Sequence, residues 1–243
     1  MKNTLLPALA FVLLALSFAW LGVAVERGLK EFRLSDRSVS VKGLAERNVM
    51  ADVAIWPLPL SATANDLAEA QASIEDSTQK AIAFLKGKGF ADDEIKIQKT
   101  EVTDLLAQDY RSNENTTLRY IIRQYVVVET PKVDQVLAVQ GQIGELFKQG
   151  VVVASNTQVQ PKYVFNGLNA VKPEMIAEAT RNAREGAEQF ARDSSAKLGG
   201  IKSASQGQFQ ILPADSEFQF DETQAPHKKI RVVTTVVYAL DAH

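Results

Sequence analysis

The 243-residue chain has no cysteine, so disulfides, thiolate catalysis and cysteine-ligated zinc or iron–sulfur sites are excluded. Histidine is nearly as scarce. His227 follows a proline in a loop and His243 is the last residue, so neither sits on an internal scaffold such as a Ser-His-Asp arrangement needs. No cluster of His, Asp and Glu has metal-ligand spacing, and no cofactor is expected. Gly43, Gly87-Lys88-Gly89 and Gly199-Gly200 lack the framework of a phosphate-binding loop. There is no concentrated basic stretch either. Without Lys2, the 27 basic residues become 26 against 29 acidic ones, which argues against nucleic acid as a partner.

What is present is an ordinary globular composition, 46% hydrophobic and 23% charged, behind one apolar segment. Leu5 to Val25 carries no charge. As a helix, its 21 residues would span roughly 31 Å, the thickness of a bilayer's hydrocarbon core. Trp20 lies near its outer end, where an interfacial aromatic is favoured. Two readings stand: an uncleaved membrane anchor, or a signal peptide cut after Ala19 or Ala24. The run exceeds the usual length of a signal core, which favours the anchor. The basic residues Arg27, Lys30, Arg33 and Arg37 that follow it mildly favour a cytoplasmic C-terminus.

The chain therefore divides into an anchor or signal segment (1–25), a charged linker (26–37) and a domain (38–243). Within the domain, Val39 to Gly43 and Val49 to Ile55 alternate as strands do. Trp56-Pro57-Leu58-Pro59-Leu60 breaks the second run and predicts a sheet edge, a bulge or a strand end. Asn65 or Asp66 caps a helix whose apolar face runs from Leu67 through Ala70, Ile74 and Ala81 to Leu85. Ile95–Val102 and Leu118–Glu129 read as a hairpin with a polar loop between them. Asp92-Asp93-Glu94 reads as a solvated run before the first of these strands. Val133 to Phe147 has helical spacing, weakened by Gly141 and Gly144. Val151 to Phe165 returns to strand character.

Pro173 suits the first position of a helix. That helix runs through Ala179, Ala183 and Ala187, whose spacing of four makes one stripe suited to close packing on a sheet, and ends at Gly199-Gly200. Phe209-Gln210-Ile211 is a short strand, and Ile230–Leu240 a final β-branched one. The fold class expected is α+β, with mixed or antiparallel sheets, helices packed on one face and one N-terminal transmembrane or signal helix.

Several short motifs resemble the SIMPL-domain (YggE-like) family of bacterial envelope proteins. They are Val39-Ser40-Val41-Lys42-Gly43-Leu44-Ala45-Glu46-Arg47, Ala51-Asp52-Val53-Ala54, Ala196-Lys197-Leu198-Gly199-Gly200 and Ile230-Arg231-Val232-Val233-Thr234-Thr235-Val236. The resemblance spans about residues 38 to 241 and transfers no catalytic residue. It implies an exported protein, periplasmic and membrane-anchored or secreted after cleavage, with homo-oligomers and stress tolerance among the family's traits. On that footing the expectation is a non-enzymatic envelope protein acting by self-assembly or protein contact. The other class is a periplasmic module binding a small molecule or lipid between a sheet and the Ala-lined helix; its ligand is unknown.

Five residues are candidates for contact. Glu46 and Arg47 sit where the resemblance is strongest, as a polar patch or an ordinary surface ion pair. Trp56 is an interface anchor or a core residue. Phe218 and Phe220, two apart in an acidic loop, would point one way from an extended chain, either exposed or tucked in.

Overall fold

The computed structural model describes residues 17, 20–26, 37–107, 118–154, 160–214 and 221–242. Residues 20–26 are helical, with Trp20, Leu21, Val23 and Val25 exposed. Most of Leu5–Val25, the segment expected to anchor the chain, lies outside the described residues. Among those described, no helix is long and apolar enough to cross a membrane.

The fold is α+β with antiparallel sheets and helices, and the chain sorts into two compact units. One comprises residues 47–171 and 210–230; the other comprises 1–46, 172–209 and 231–243.

The 47–171/210–230 unit is built on a sheet in the order β3-β4-β2-β5, with every pair antiparallel. Its strands are β2 (Val53–Ala64), β3 (Ile95–Asp104), β4 (Tyr120–Thr130) and β5 (Lys162–Val164). β3 and β4 form the expected hairpin. Helix α1 (Leu67–Gly87) starts where Asp66 accepts hydrogen bonds from the N–H groups of Ala68 and Glu69, at 2.8 and 3.2 Å. Its Ala70, Ile74, Ala81 and Leu85 enter a core with Trp56, Leu58, Leu60, Val126 and Val128. The 133–147 stretch forms two helices, α2 (Val133–Gln140) and α3 (Gly144–Lys148), divided at the glycines that weakened the sequence pattern.

β2 corrects one expectation. It runs unbroken through Pro57 and Pro59 and has strand neighbours on both sides. The reason lies in which way the missing donors face. Ser61 N–H donates to Val152 O, and Pro59 O accepts from Ala154 N–H, so the odd residues of β2 turn their backbone groups away from β4. On that far side the described partners are β5, which pairs with 53–55, and Val153, bridged to Leu60. The prolines thus cost the β4 ladder nothing. Of the expected strand from Val151 to Phe165, the described residues show β5 and that bridge, and residues 155–159 lie outside them.

In the other unit, β1 (Ser38–Met50) and β6 (Ala196–Gln206) flank β8 (His227–Ala242). β7 (Gln210–Pro213) belongs to the 47–171/210–230 unit, as does the first part of β8, where Ala214 N–H donates to His227 O. Helix α4 (Leu168–Asp193) supplies Ala179, Ala183, Ala187 and Ala191, all buried, as the stripe predicted. Ala183 and Ala187 pack with Val41, Val236 and Tyr238.

Two boundaries of α4 differ from the sequence reading. It begins at Leu168, with Pro173 inside it. It ends at Asp193, where Ser195 takes a left-handed φ of 53°. A helix is stopped by such a residue as effectively as by glycine. Residues 196–200, expected as the helix's tail, therefore belong to strand β6. Gly199 lies in it at a register shift, where a β-carbon would come 3.0 Å from that of Ala239.

Candidate contact surface and polar clusters

The three-stranded part of the second sheet has two edges, β1 and β6. Leu240 N–H donates to Arg37 O at 3.0 Å, so the odd residues of β1 turn their backbone groups toward β8 and the even ones outward. One outward carbonyl, that of Leu44, accepts from Asn182 Nδ2 at 2.7 Å. α4 lies directly on this strand, because Gly43 leaves its backbone room to approach. The β1 edge is thus partly closed by the helix above it.

β6 is different. Residues 201–206 are exposed on both faces, and α4 does not cover them. Ile201 is 55% exposed although it faces the same side as the buried Tyr238. Two register shifts disturb the strand before Ser203; from Ser203 to Gln206 the ladder with β8 is regular. Gly207 N–H continues it to Val233 O at 2.8 Å. Ser203, Ser205 and Gly207 accordingly face β8 with their backbone groups, while Ala204 and Gln206 turn theirs outward. From Ser203 to Phe209 there is neither a charge nor a proline. Charges and prolines are the devices that keep edge strands from pairing with other chains.

The ionisable groups with the most developed surroundings are tied into the fold. Glu94, on a short turn (Asp92–Glu94), accepts from Thr130 Oγ1 at 2.7 Å, Lys132 Nζ at 2.8 Å and Ala91 N–H at 2.7 Å. Burial pushes its pKa up, but those hydrogen bonds outweigh it and hold the carboxyl at about 2. Asp52 accepts from Asn166 N–H at 2.9 Å and Gly167 N–H at 2.8 Å, fixing the turn into α4. Lys228 is buried, 2% exposed, and donates to the Glu222 carbonyl. Desolvation lowers its pKa against the opposing pull of Glu222 and Asp221. Among the described residues, no group of three or more His, Asp or Glu could hold a metal ion.

The sequence candidates are dispersed. Glu46 is exposed, with Oε1 3.7 Å from Arg231 Nε, a long surface pair. Arg47 is half-buried. Trp56 is 1% exposed within the core around β2, so its indole is committed to packing and is not open to a partner. Phe218 and Phe220 lie outside the described residues, as does His243. His227 is exposed at the start of β8.

Sequence reasoning missed Glu94, Asp52 and the β6 edge. Asp92-Asp93-Glu94 looked uniformly solvated, yet only its third member turns inward. Asp52 lies in a motif that carries the family resemblance, but its hydrogen-bond partners are 114 and 115 residues away. The run of uncharged residues after Lys202 was a legible signal for an unprotected edge.

The profile of the SIMPL family, described as a protein of unknown function (DUF541), matches residues 39–238. The match spans both compact units, and the chain belongs to the SIMPL family. A comparison with curated proteins returns no match.

Proposed function

We propose that this SIMPL protein is a non-enzymatic cell-envelope component that acts by self-association. The observation carrying this reading is the β6 edge: an exposed, uncharged strand end in a sheet that otherwise finishes under α4. An open backbone ladder of this kind is a template for another strand. The engagement of Glu94, Asp52 and Lys228 in internal bonds supports a structural use for the polar groups. The link to oxidative or envelope stress rests on the family resemblance alone.

The domain is placed in the periplasm, held to the inner membrane by Leu5–Val25. The length and neutrality of that segment favour an anchor, as do the exposed apolar side chains of the helical residues 20–26. Carbonate washing should leave the full chain in the membrane fraction. Recovery of a soluble form starting at Trp20 or Val25 would replace the anchor with a cleaved signal. Self-association is tested by sedimentation of the detergent-solubilised full chain across a hundredfold concentration range. An assembly that dissociates on dilution is expected, and a monomer throughout would overturn the reading.

A further inference from the structure

We propose that β6 pairs with β6 of a second copy, antiparallel, across a two-fold axis at Ser205. This rests on the self-association reading and names its surface. The register follows from which backbone groups are free. Ala204 and Gln206 present their N–H and C=O groups outward, and among the described residues no strand lies beyond them. A two-fold at Ser205 sets Ala204 of each copy against Gln206 of the other, so that every outward donor meets an acceptor. Ser205 then faces itself as a non-hydrogen-bonded pair.

Charge and shape agree with a second copy as the occupant. The paired stretch is uncharged, and the nearest cation, Lys202, falls opposite Gln208 and not opposite another lysine. The interface thus sets no like charges against each other, the usual obstacle to self-pairing of an edge. Among the described residues, α4 does not cover this edge, because it sits over Gly43 at the far edge of the sheet. The β1 edge fails on this count: a strand beside it would bring two α4 helices together, and Asn182 already occupies the Leu44 carbonyl.

The absence of cysteine makes the test clean. Residues facing each other in a non-hydrogen-bonded antiparallel pair have Cα atoms about 4.5 Å apart, within disulfide range. Under mild oxidation of the detergent-solubilised full chain, Ser205→Cys should give a covalent dimer. Ser40→Cys, exposed on β1, should give at least tenfold less. Ser205→Lys sets two ammonium groups against each other at the axis and should weaken association at least tenfold; the site is exposed, so the fold should be unaffected. If the wild-type chain assembles but Ser205→Cys gives no more dimer than Ser40→Cys, or Ser205→Lys assembles like wild type, the surface is wrong and the self-association reading survives. If the wild-type chain is a monomer at every concentration, both fail.

Discussion

Gly43 and Ala179 stand so close that a β-carbon on Gly43 would lie 1.8 Å from the Ala179 carbonyl oxygen and 2.5 Å from Ala183 N. The contact joins the centre of β1 to the alanine stripe of α4, backbone against backbone, with no flexible side chain to move aside. It fixes the helix over one edge of the sheet and, among the described residues, leaves the other edge uncovered.

Gly43→Ala should therefore separate helix and strand. The expected cost is at the upper end of the 1–3 kcal/mol typical of overpacking. Ala183→Leu acts on the same contact from the helix side and should cost about 1–3 kcal/mol, although leucine is itself a good helix former. Chemical denaturation measures both. An unchanged midpoint for Ala183→Leu would mean that the stripe can open without loss.

Glu94 predicts an acid-sensitive step. Its folded pKa, about 2, lies below its ordinary value of 4.5, because Lys132, Thr130 and Ala91 hydrogen-bond the charged form. A depressed carboxyl contributes stability that is full above the ordinary value and is lost as pH falls from about 4.5 toward about 2. The urea midpoint of the wild type should fall across that window, and Glu94→Gln should flatten this part of the profile. Equal slopes in the two proteins would assign the acid loss to other carboxylates.

Asp52 holds the turn before α4 through its bonds to Asn166 and Gly167. Asp52→Ala should cost about 1 kcal/mol, since the released N–H groups are partly open to water. The sharper readout is hydrogen exchange, which should accelerate at Asn166 and Gly167 while the β2–β4 ladder stays protected. Uniform acceleration through the whole unit would show that Asp52 supports the fold globally.

Much of the architecture could be read from local pattern. Alternation found the start of β1, the β3–β4 hairpin and the body of β8. A side-chain cap marked the start of α1 at Asp66, and the spacing of Ala179, Ala183 and Ala187 gave the packed face of α4. The failures occurred where a tertiary partner overrode a local rule. Pro57 and Pro59 looked like breakers because sequence does not show which neighbour a missing N–H would face. Gly199-Gly200 looked like a helix stop, but Ser195 had already ended the helix in a left-handed conformation that serine rarely adopts. Glu94 looked solvated because Thr130 and Lys132, which turn it inward, are 36 and 38 residues away. Of the contact candidates, Trp56 carried the strongest side-chain signal and went to the core. The edge that emerges as the better candidate, Ser203 to Phe209, is marked by the lack of charge and not by any distinctive residue.

Native mass spectrometry of the full chain, released from detergent micelles over a range of concentrations, reads self-association directly. Self-association through β6 predicts a species at a multiple of the 26.6 kDa chain mass, with no added small molecule, reduced to the single chain by Ser205→Lys. A wild-type chain that remains single at every concentration, above all one that retains a bound small molecule, would contradict it and favour a ligand-binding module.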